Sequence, residues 1–124
     1  MMILIAVMLV GFMVTVAFSV DIAQMHLSRT ELRTATDAAA KAAAVELSQS
    51  LDTTQAIRRG REIAAANTVS GAPLNLVNAD FQFGRAEEDA SGRFNFDSGG
   101  TPRNSVRVNG RKTPWNAVSS GTPI

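Results

Sequence analysis

Residues able to do chemistry are few in this chain of 124 residues. It contains no cysteine, which excludes disulfides, thiolate metal sites and a cysteine nucleophile. The one histidine of the sequence is His26, and without a second histidine or a cysteine it is more simply a polar residue than a metal ligand. The serines accompany no nucleophile motif and no histidine in the later part of the chain. We therefore predict no catalytic, cofactor-binding or metal site and no enzymatic activity.

Two short charged runs offer binding chemistry at most. The acidic run EED at residues 87–89 could hold a cation weakly, but it lacks the alternating acceptors and central glycine of a calcium loop, so a solvated turn is favoured. The basic run RRGR at residues 58–61 could touch phospholipid headgroups or an acidic neighbour. The formal charge of the whole chain is only +1, which gives no electrostatic reason to expect nucleic acid.

The first twenty residues, MMILIAVMLVGFMVTVAFSV, carry no charge. As a helix they extend ~30 Å, the thickness of the hydrocarbon core of a bilayer. A cleaved signal peptide fits less well, because the segment has no basic start and exceeds the usual apolar core of a signal. A buried core helix fits less well, because roughly 100 other residues could hardly enclose it. We predict that residues 1–20 span a membrane or form the core of a filament.

This helix is predicted to continue without a break to about residue 50. No proline precedes Pro73, and no glycine lies between Gly11 and Gly60. Residues 35–44 read ATDAAAKAAA, and alanine has the highest helix propensity because it loses no side-chain rotamer freedom. We assign residues 1–51 to a long N-terminal helix and residues 52–124 to a small head.

Small residues on this helix would let a second helix approach closely. One stripe has a spacing of four residues along the span, where small side chains promote helix association, although they are also simply tolerated in spans. A second, alanine-rich face follows beyond the span. The predicted helix–helix packing residues are Gly11, Thr15, Ser19, Ala23, Ser28, Ala35, Ala39 and Ala42.

The first charged residue, Asp21, stands at the expected boundary of the span, where a carboxylate can stay hydrated. Deeper in the membrane, or in a dry bundle, it would need a cationic partner. Its position on the helix favours Arg29 or Arg33 of a neighbouring copy as that partner. By the positive-inside rule, Arg29, Arg33 and Lys41 alone would place the C-terminal part in the cytoplasm, and a basic segment upstream of Met1 would reverse this orientation.

The head is predicted to combine one helix with a three-stranded antiparallel sheet. The helix covers about residues 53–67, with Asp52 as its cap and Gln55 reaching back to the cap. Alternating runs predict strands at residues 80–85, 93–97 and 104–109.

The first two strands form a hairpin around a polar loop at residues 86–92. The alternation is expected to place all four phenylalanines of these strands on one face, packed against the second helix. These residues are Phe81, Phe83, Phe94 and Phe96. In the Ser/Gly/Pro-rich C-terminal stretch, Trp115 is the candidate anchor.

Several segments resemble those of the TadE/TadG-like proteins, which are associated with Tad (tight adherence) pilus assembly and are distantly pilin-like. VDIA at residues 20–23 and LRTATDAAAKAAA at residues 32–44 carry most of the resemblance. The chain departs from the family pattern at Ala23, Arg33 and Lys41, where Gly, Gln and Leu are usual. A pilin-type glutamate at the fifth mature position is also missing, and Ile5 stands there instead.

The resemblance implies an α+β, pilin-like fold with an anchor in the bacterial inner membrane and an exported C-terminal head. We expect a structural subunit of an extracellular Tad-type pilus, of the kind used in cell adhesion, which forms a helical homo-oligomer through its N-terminal helices. Its expected partners are itself, the inner membrane before assembly and other pilus-assembly proteins. The alternative is a membrane-anchored accessory protein of pilus assembly or secretion that does not polymerise. An anchored exported enzyme or binding module is disfavoured, because the head offers no catalytic site.

Overall fold

The first helix, α1 (Met2–Ser50), is a single continuous rod. The computed structural model describes residues 1–111 of the chain. α1 contains 49 residues and is therefore about 74 Å long at 1.5 Å per residue. It ends at Leu51, whose backbone is left-handed (φ 57°) and whose N–H donates to the carbonyl oxygen of Leu47 over 2.9 Å. The continuous helix expected from the sequence is confirmed, while the candidate anchor Trp115 lies outside the described residues.

The second helix, α2 (Thr53–Ala65), follows after a link of only two residues and ends slightly earlier than the sequence predicts. Asp52 caps its start as expected, because its side chain accepts a hydrogen bond from the N–H of Thr54 over 2.7 Å. The N–H of Asp52 itself donates to the hydroxyl of Ser50 over 3.2 Å. Ser50 thus takes the role that the sequence assigns to Gln55, because the end of α1 brings its hydroxyl so close.

A small hairpin that the sequence does not predict follows α2. Its strands are β1 (Thr68–Val69) and β2 (Ala72–Pro73), paired antiparallel. Ser70 and Gly71 form the turn with positive φ values of 50° and 78°. A glycine adopts this conformation without strain, whereas a serine does so only when its surroundings hold it there.

The main sheet has three antiparallel strands and confirms the α+β fold. The strands are β3 (Phe81–Glu88), β4 (Phe94–Ser98) and β5 (Ser105–Val108), in the spatial order β4-β3-β5. β3 extends to Glu88, three residues beyond the predicted strand, so the loop expected at residues 86–92 is shorter than predicted. The head is therefore a helix, a minor hairpin and this sheet, arranged beside the second half of α1.

The four phenylalanines do not share one face of the sheet, and that prediction is wrong. Ala86 pairs with Phe96, so both even-numbered residues point to one side, while Phe81 pairs with Val108 on the other side. The reason is the turn: Asp89 N–H donates to the Arg93 carbonyl oxygen over 2.8 Å, which leaves three residues between them. Because this loop has an odd number of residues, even-numbered residues of β3 pair with even-numbered residues of β4, and odd with odd. The phenylalanines of β3 are odd-numbered and those of β4 are even-numbered, so they lie on opposite faces.

The core of the head lies where α1, α2 and β3 meet. Its buried apolar residues are Ala35, Ala39, Ala43 and Leu47 of α1, Ala56 and Ala64 of α2, and Val69, Leu74, Leu76 and Phe81. The helices approach closely at Gly60, where a Cβ would lie 2.5 Å from Cε1 of Phe81 and 3.2 Å from the carbonyl oxygen of Ala39. The inward face of the sheet rests on both helices, since β5 runs along α1 and Phe81 meets α2, rather than on α2 alone as predicted.

Candidate functional site

Residues 1–27, here called the bare segment, are exposed along their whole length. They include 18 large apolar side chains that the described part of the chain leaves open. α1 is the only helix of the described residues that is long and apolar enough to cross a membrane. Because exposed apolar area on this scale is unfavourable in water, the bare segment needs lipid or other helices around it. This surface is the principal candidate for function.

The small-residue stripe of the bare segment is uncovered, and the hydroxyl at its centre is already hydrogen-bonded. Gly11, Thr15, Ser19 and Ala23 are all exposed. The hydroxyl of Thr15 donates to the carbonyl oxygen of Gly11 over 2.7 Å, so it adds no unsatisfied donor to the stripe. No described side chain or distant backbone atom lies within 4 Å of a Cβ placed at Gly11. The geometry is compatible with close helix packing, and the packing role of these four residues stays a prediction.

The alanine-rich face beyond the span is occupied by the head of the same chain. Ala35 and Ala39 are 1% and 0% exposed, because α2 packs directly against them. The helix that covers them is α2 of the same chain, so neither residue has surface left for another copy. Ala42 is half-buried at the edge of this contact. Sequence patterning identifies such a face but does not say which helix will cover it.

The β1–β2 turn attaches the head to α1 close to residue 28, where the bare segment ends. The hydroxyl of Ser28 lies 2.7 Å from that of Ser70, and the N–H of Ser70 donates to Oε2 of Glu31 over 2.7 Å. These contacts hold Ser70 in its left-handed conformation. Ser28, predicted to face another helix, thus contacts this turn. The Ser-Gly pair at residues 70–71 is the turn signal from which the hairpin could have been predicted.

Three arginines surround a groove between α1 and the residues after β5. We call it the arginine groove and define it by Arg29, Leu32, Arg33, Thr36 and Arg111. Asp37 and the backbone of residues 108–110 complete its rim, and Gly110 packs directly on Thr36. Arg29, Arg33 and Arg111 are exposed. The groove is therefore lined by three arginines and the carboxylate of Asp37, and a second carboxylate, that of Asp80, lies behind Arg111.

Arg111 is held in place by a buried carboxylate. Asp80 is 1% exposed, its Oδ2 accepts the N–H of Val77 over 2.9 Å, and its Oδ1 lies 3.5 Å from Nη2 of Arg111. Because the backbone N–H of Val77 positions the carboxylate of Asp80, Asp80 fixes one side of the groove. Neither Asp80 nor Arg111 belongs to a sequence motif that would have predicted this role.

Asp21, Arg29 and Arg33, the predicted inter-subunit ion pair, form no ion pair within residues 1–111. The ion pairs of this region are Arg59–Glu62, Arg85–Glu87, Arg93–Asp89 and Arg111–Asp80. Asp21 is exposed on the bare segment, and Arg29 and Arg33 are exposed at the arginine groove. A pair between copies stays a prediction.

The acidic run at residues 87–89 is built into the hairpin turn. Asp89 accepts hydrogen bonds from the hydroxyl and N–H of Ser91 and from the N–H of Arg93. These bonds, that of the Ser91 hydroxyl first, hold the pKa of Asp89 below its usual value. No group of three or more His, Cys, Asp or Glu residues suited to a metal ion occurs among the described residues.

The basic run at residues 58–61 is exposed on α2 and partly engaged. Arg59 pairs with Glu62 over 2.8 Å, and Arg61 donates to Oδ1 of Asn78 over 3.3 Å. Arg58 borders a shallow cleft between α2 and the segment that precedes β3. Arg58, Arg59 and Arg61 are thus exposed to solvent.

A long helix with a bare first half and a small α+β head on its second half is the architecture of pilin-like proteins. In keeping with this class, residues 1–46 match the family described as "Putative Flp pilus-assembly TadE/G-like". The match confirms the TadE/TadG-like resemblance over the N-terminal helix and associates the chain with pilus assembly. Comparisons with curated proteins and with solved structures found no match.

Proposed function

We propose that this chain is a structural, pilin-like subunit of a Tad-type extracellular filament, assembled through its N-terminal helices. The observation that carries the proposal is the bare segment, which is apolar on every side over residues 1–20 and uncovered by the described part of the chain. Before assembly, the same segment would anchor the subunit in the bacterial inner membrane with the head exported. The role is mechanical rather than catalytic.

The energetics of the bare segment support both the membrane-anchored stage and the assembled filament. Fully burying a Val, Leu, Ile, Phe or Met side chain contributes roughly 1.5–3 kcal/mol relative to water, and this segment exposes 18 such residues. Lipid provides this burial for an isolated subunit. Outside the membrane only other helices provide it, so extraction favours a bundle of bare segments with the heads on its outside.

A second function, a membrane-anchored accessory protein that does not polymerise, is favoured by one observation. The head already covers Ala35 and Ala39, so this part of the alanine-rich face of α1 is closed to other copies. A single anchor in lipid would need nothing more than the bare segment. The two functions differ in self-association, which is measurable.

The test uses the full chain purified in mild detergent, followed by detergent removal. We expect oligomers that grow into filaments visible by electron microscopy. Gly11→Leu places a bulky side chain on the small-residue stripe and should lower the oligomer size or raise the concentration needed for assembly about tenfold. Ala6→Leu is the matched control, because Ala6 is also small and exposed but lies about 140° around the helix from Gly11.

Each outcome separates the two functions. Assembly that is sensitive to Gly11→Leu and insensitive to Ala6→Leu supports a filament subunit. Monodisperse wild-type monomers that stay monomeric as detergent is removed in the presence of lipid would support the accessory role instead.

A further inference from the structure

Asp21 lies inside the apolar surface rather than beyond it. Val20 and Ile22 flank it, and Met25 and Leu27 follow, all of them exposed, while Gln24 and His26 are the polar side chains of the same stretch. When other helices cover the bare segment, Asp21 therefore enters apolar surroundings. An ionised carboxylate is costly to bury there unless a cation pairs with it.

The arginines of the same helix are too far from Asp21 to pair with its carboxylate. Arg29 is 8 residues and Arg33 is 12 residues beyond Asp21, which corresponds to about 12 Å and 18 Å along a straight helix. The cation must come from another copy or from outside the protein.

The arginine groove has the charge and the shape to receive a carboxylate. Arg29 and Arg33 stand on successive turns of α1, and Arg111 approaches from the other wall, braced by Asp80. Guanidinium groups bind carboxylates through paired N–H donors, so a cluster of three is well suited to a single acidic side chain. Asp37 at the rim and Asp80 behind Arg111 offset two of the three positive charges, so the groove keeps a net positive charge.

We propose that Asp21 of a second copy binds in the arginine groove and thereby fixes the axial offset between neighbouring subunits. This inference rests on the proposed filament function and deepens it. Two parallel copies would be offset by 8 to 12 residues, about 12–18 Å along the helix axis. The carboxylate that is costly in an apolar bundle becomes the element that selects the register.

The offset is compatible with burial of the bare segment. With an offset of 12 residues, residues 1–15 of the second copy lie beside residues 13–27 of the first, all of them exposed in the isolated chain. The apolar contact and the ion cluster can therefore form together. In-register copies would instead bring two Asp21 carboxylates side by side, which is repulsive.

Disulfide trapping tests this arrangement directly, because the chain has no cysteine of its own. Asp21→Cys combined with Arg33→Cys should yield covalent dimers and a ladder of larger species on mild oxidation of assembled protein. A bond within one chain is excluded, since a disulfide needs Cα atoms about 4.4–6.8 Å apart. Asp21→Cys combined with Thr34→Cys is the control, because Thr34 is exposed at nearly the same height but about 100° away around the helix.

A charge exchange provides the second measurement. Asp21→Arg should raise the concentration needed for assembly at least tenfold. Adding Arg29→Asp and Arg33→Asp in the same chain should bring that concentration most of the way back to the wild-type value. Wild-type filaments together with equal trapping of the two cysteine pairs would overturn this inference and leave the proposed function intact.

Two further results would overturn the inference. If the wild-type protein never assembles, both this inference and the proposed function are overturned. If Asp21→Arg leaves assembly unchanged while Arg29→Asp with Arg33→Asp reduces binding to phosphatidylglycerol vesicles, the groove is a site for lipid phosphate rather than for a second copy.

Discussion

Gly60 is the residue at which three elements of the head meet. The ring of Phe81 occupies the space that a side chain at Gly60 would need, and the carbonyl oxygen of Ala39 closes the other side. Glycine lowers the intrinsic stability of α2 by about 1 kcal/mol relative to alanine. The close approach of α1, α2 and β3 compensates for that loss, because it lets Phe81 bury its ring in a core otherwise made largely of alanines.

We predict that Gly60→Ala destabilises the head, although alanine favours the helix. Overpacking typically costs 1–3 kcal/mol and the gain in helix propensity offsets about 1 kcal/mol of it, so the net loss in the free energy of unfolding should be up to about 2 kcal/mol. Urea denaturation of the full chain in mild detergent measures it. In a double-mutant cycle, Phe81→Leu should partly relieve the cost of Gly60→Ala. A Gly60→Ala variant more stable than wild type would contradict this account.

Asp89 makes the hairpin turn sensitive to acid. Its pKa is lowered in the folded chain because Ser91, through its hydroxyl first, and the N–H of Arg93 donate to the ionised carboxylate. Its contribution is therefore fully present above the pKa of the unfolded chain, near 4 for an aspartate. It is lost as the pH falls through the lower folded value.

We predict that the turn loosens below about pH 4, the usual range of an aspartate, and stays ordered at neutral pH. The amide signals of Ser91 and Arg93 in an NMR titration report this loss directly. Asp89→Asn keeps an oxygen acceptor at the same position without a titrating proton, so its amide signals should be much less sensitive to pH. Equal sensitivity in both proteins would show that Asp89 is not the group responsible.

At the scale of elements, the helices and strands were largely predictable, and the pairing of their faces was not. The absence of proline before Pro73 and of glycine between Gly11 and Gly60 predicted α1. Asp52 predicted the start of α2. Both signals are local in the sequence. The orientation of Phe94 and Phe96 depended instead on one turn, whose three residues set the parity of the whole β3–β4 pairing. Strand periodicity says which residues share a face within a strand, but only the turn relates two strands.

The same distinction explains the two small-residue surfaces of α1. Both have helical spacing, yet Ala35 and Ala39 receive α2 of the same chain, whereas Gly11 and Thr15 remain open. Spacing predicts that a helix will pack there, since small residues let backbones approach. It carries no information about whether the partner follows in the same chain. The arginine groove was missed for a related reason, because Arg111 is far from Arg29 and Arg33 in sequence.

For the whole molecule, α1 belongs to two environments at once. Its first half is bare, and its second half supplies four of the ten buried apolar core residues found among residues 1–111. The head is therefore incomplete without α1, and the predicted boundary at residue 51 separates residues that pack together. A boundary near residue 28, where Ser28 meets the β1–β2 turn, would keep these contacts within one unit.

We predict that a fragment of residues 28–124 folds as a water-soluble monomer, whereas residues 52–124 do not fold. The longer fragment keeps the entire α1–α2 contact and loses only exposed apolar surface. The shorter one leaves Ala56, Gly60 and Ala64 facing water and removes the surface that orders them, so too little area stays buried to offset chain entropy. Thermal melts followed by circular dichroism and light scattering distinguish the two fragments. A cooperative melt of residues 52–124 would instead support the boundary at residue 51, and aggregation of residues 28–124 would mean that the head needs the bare segment as well.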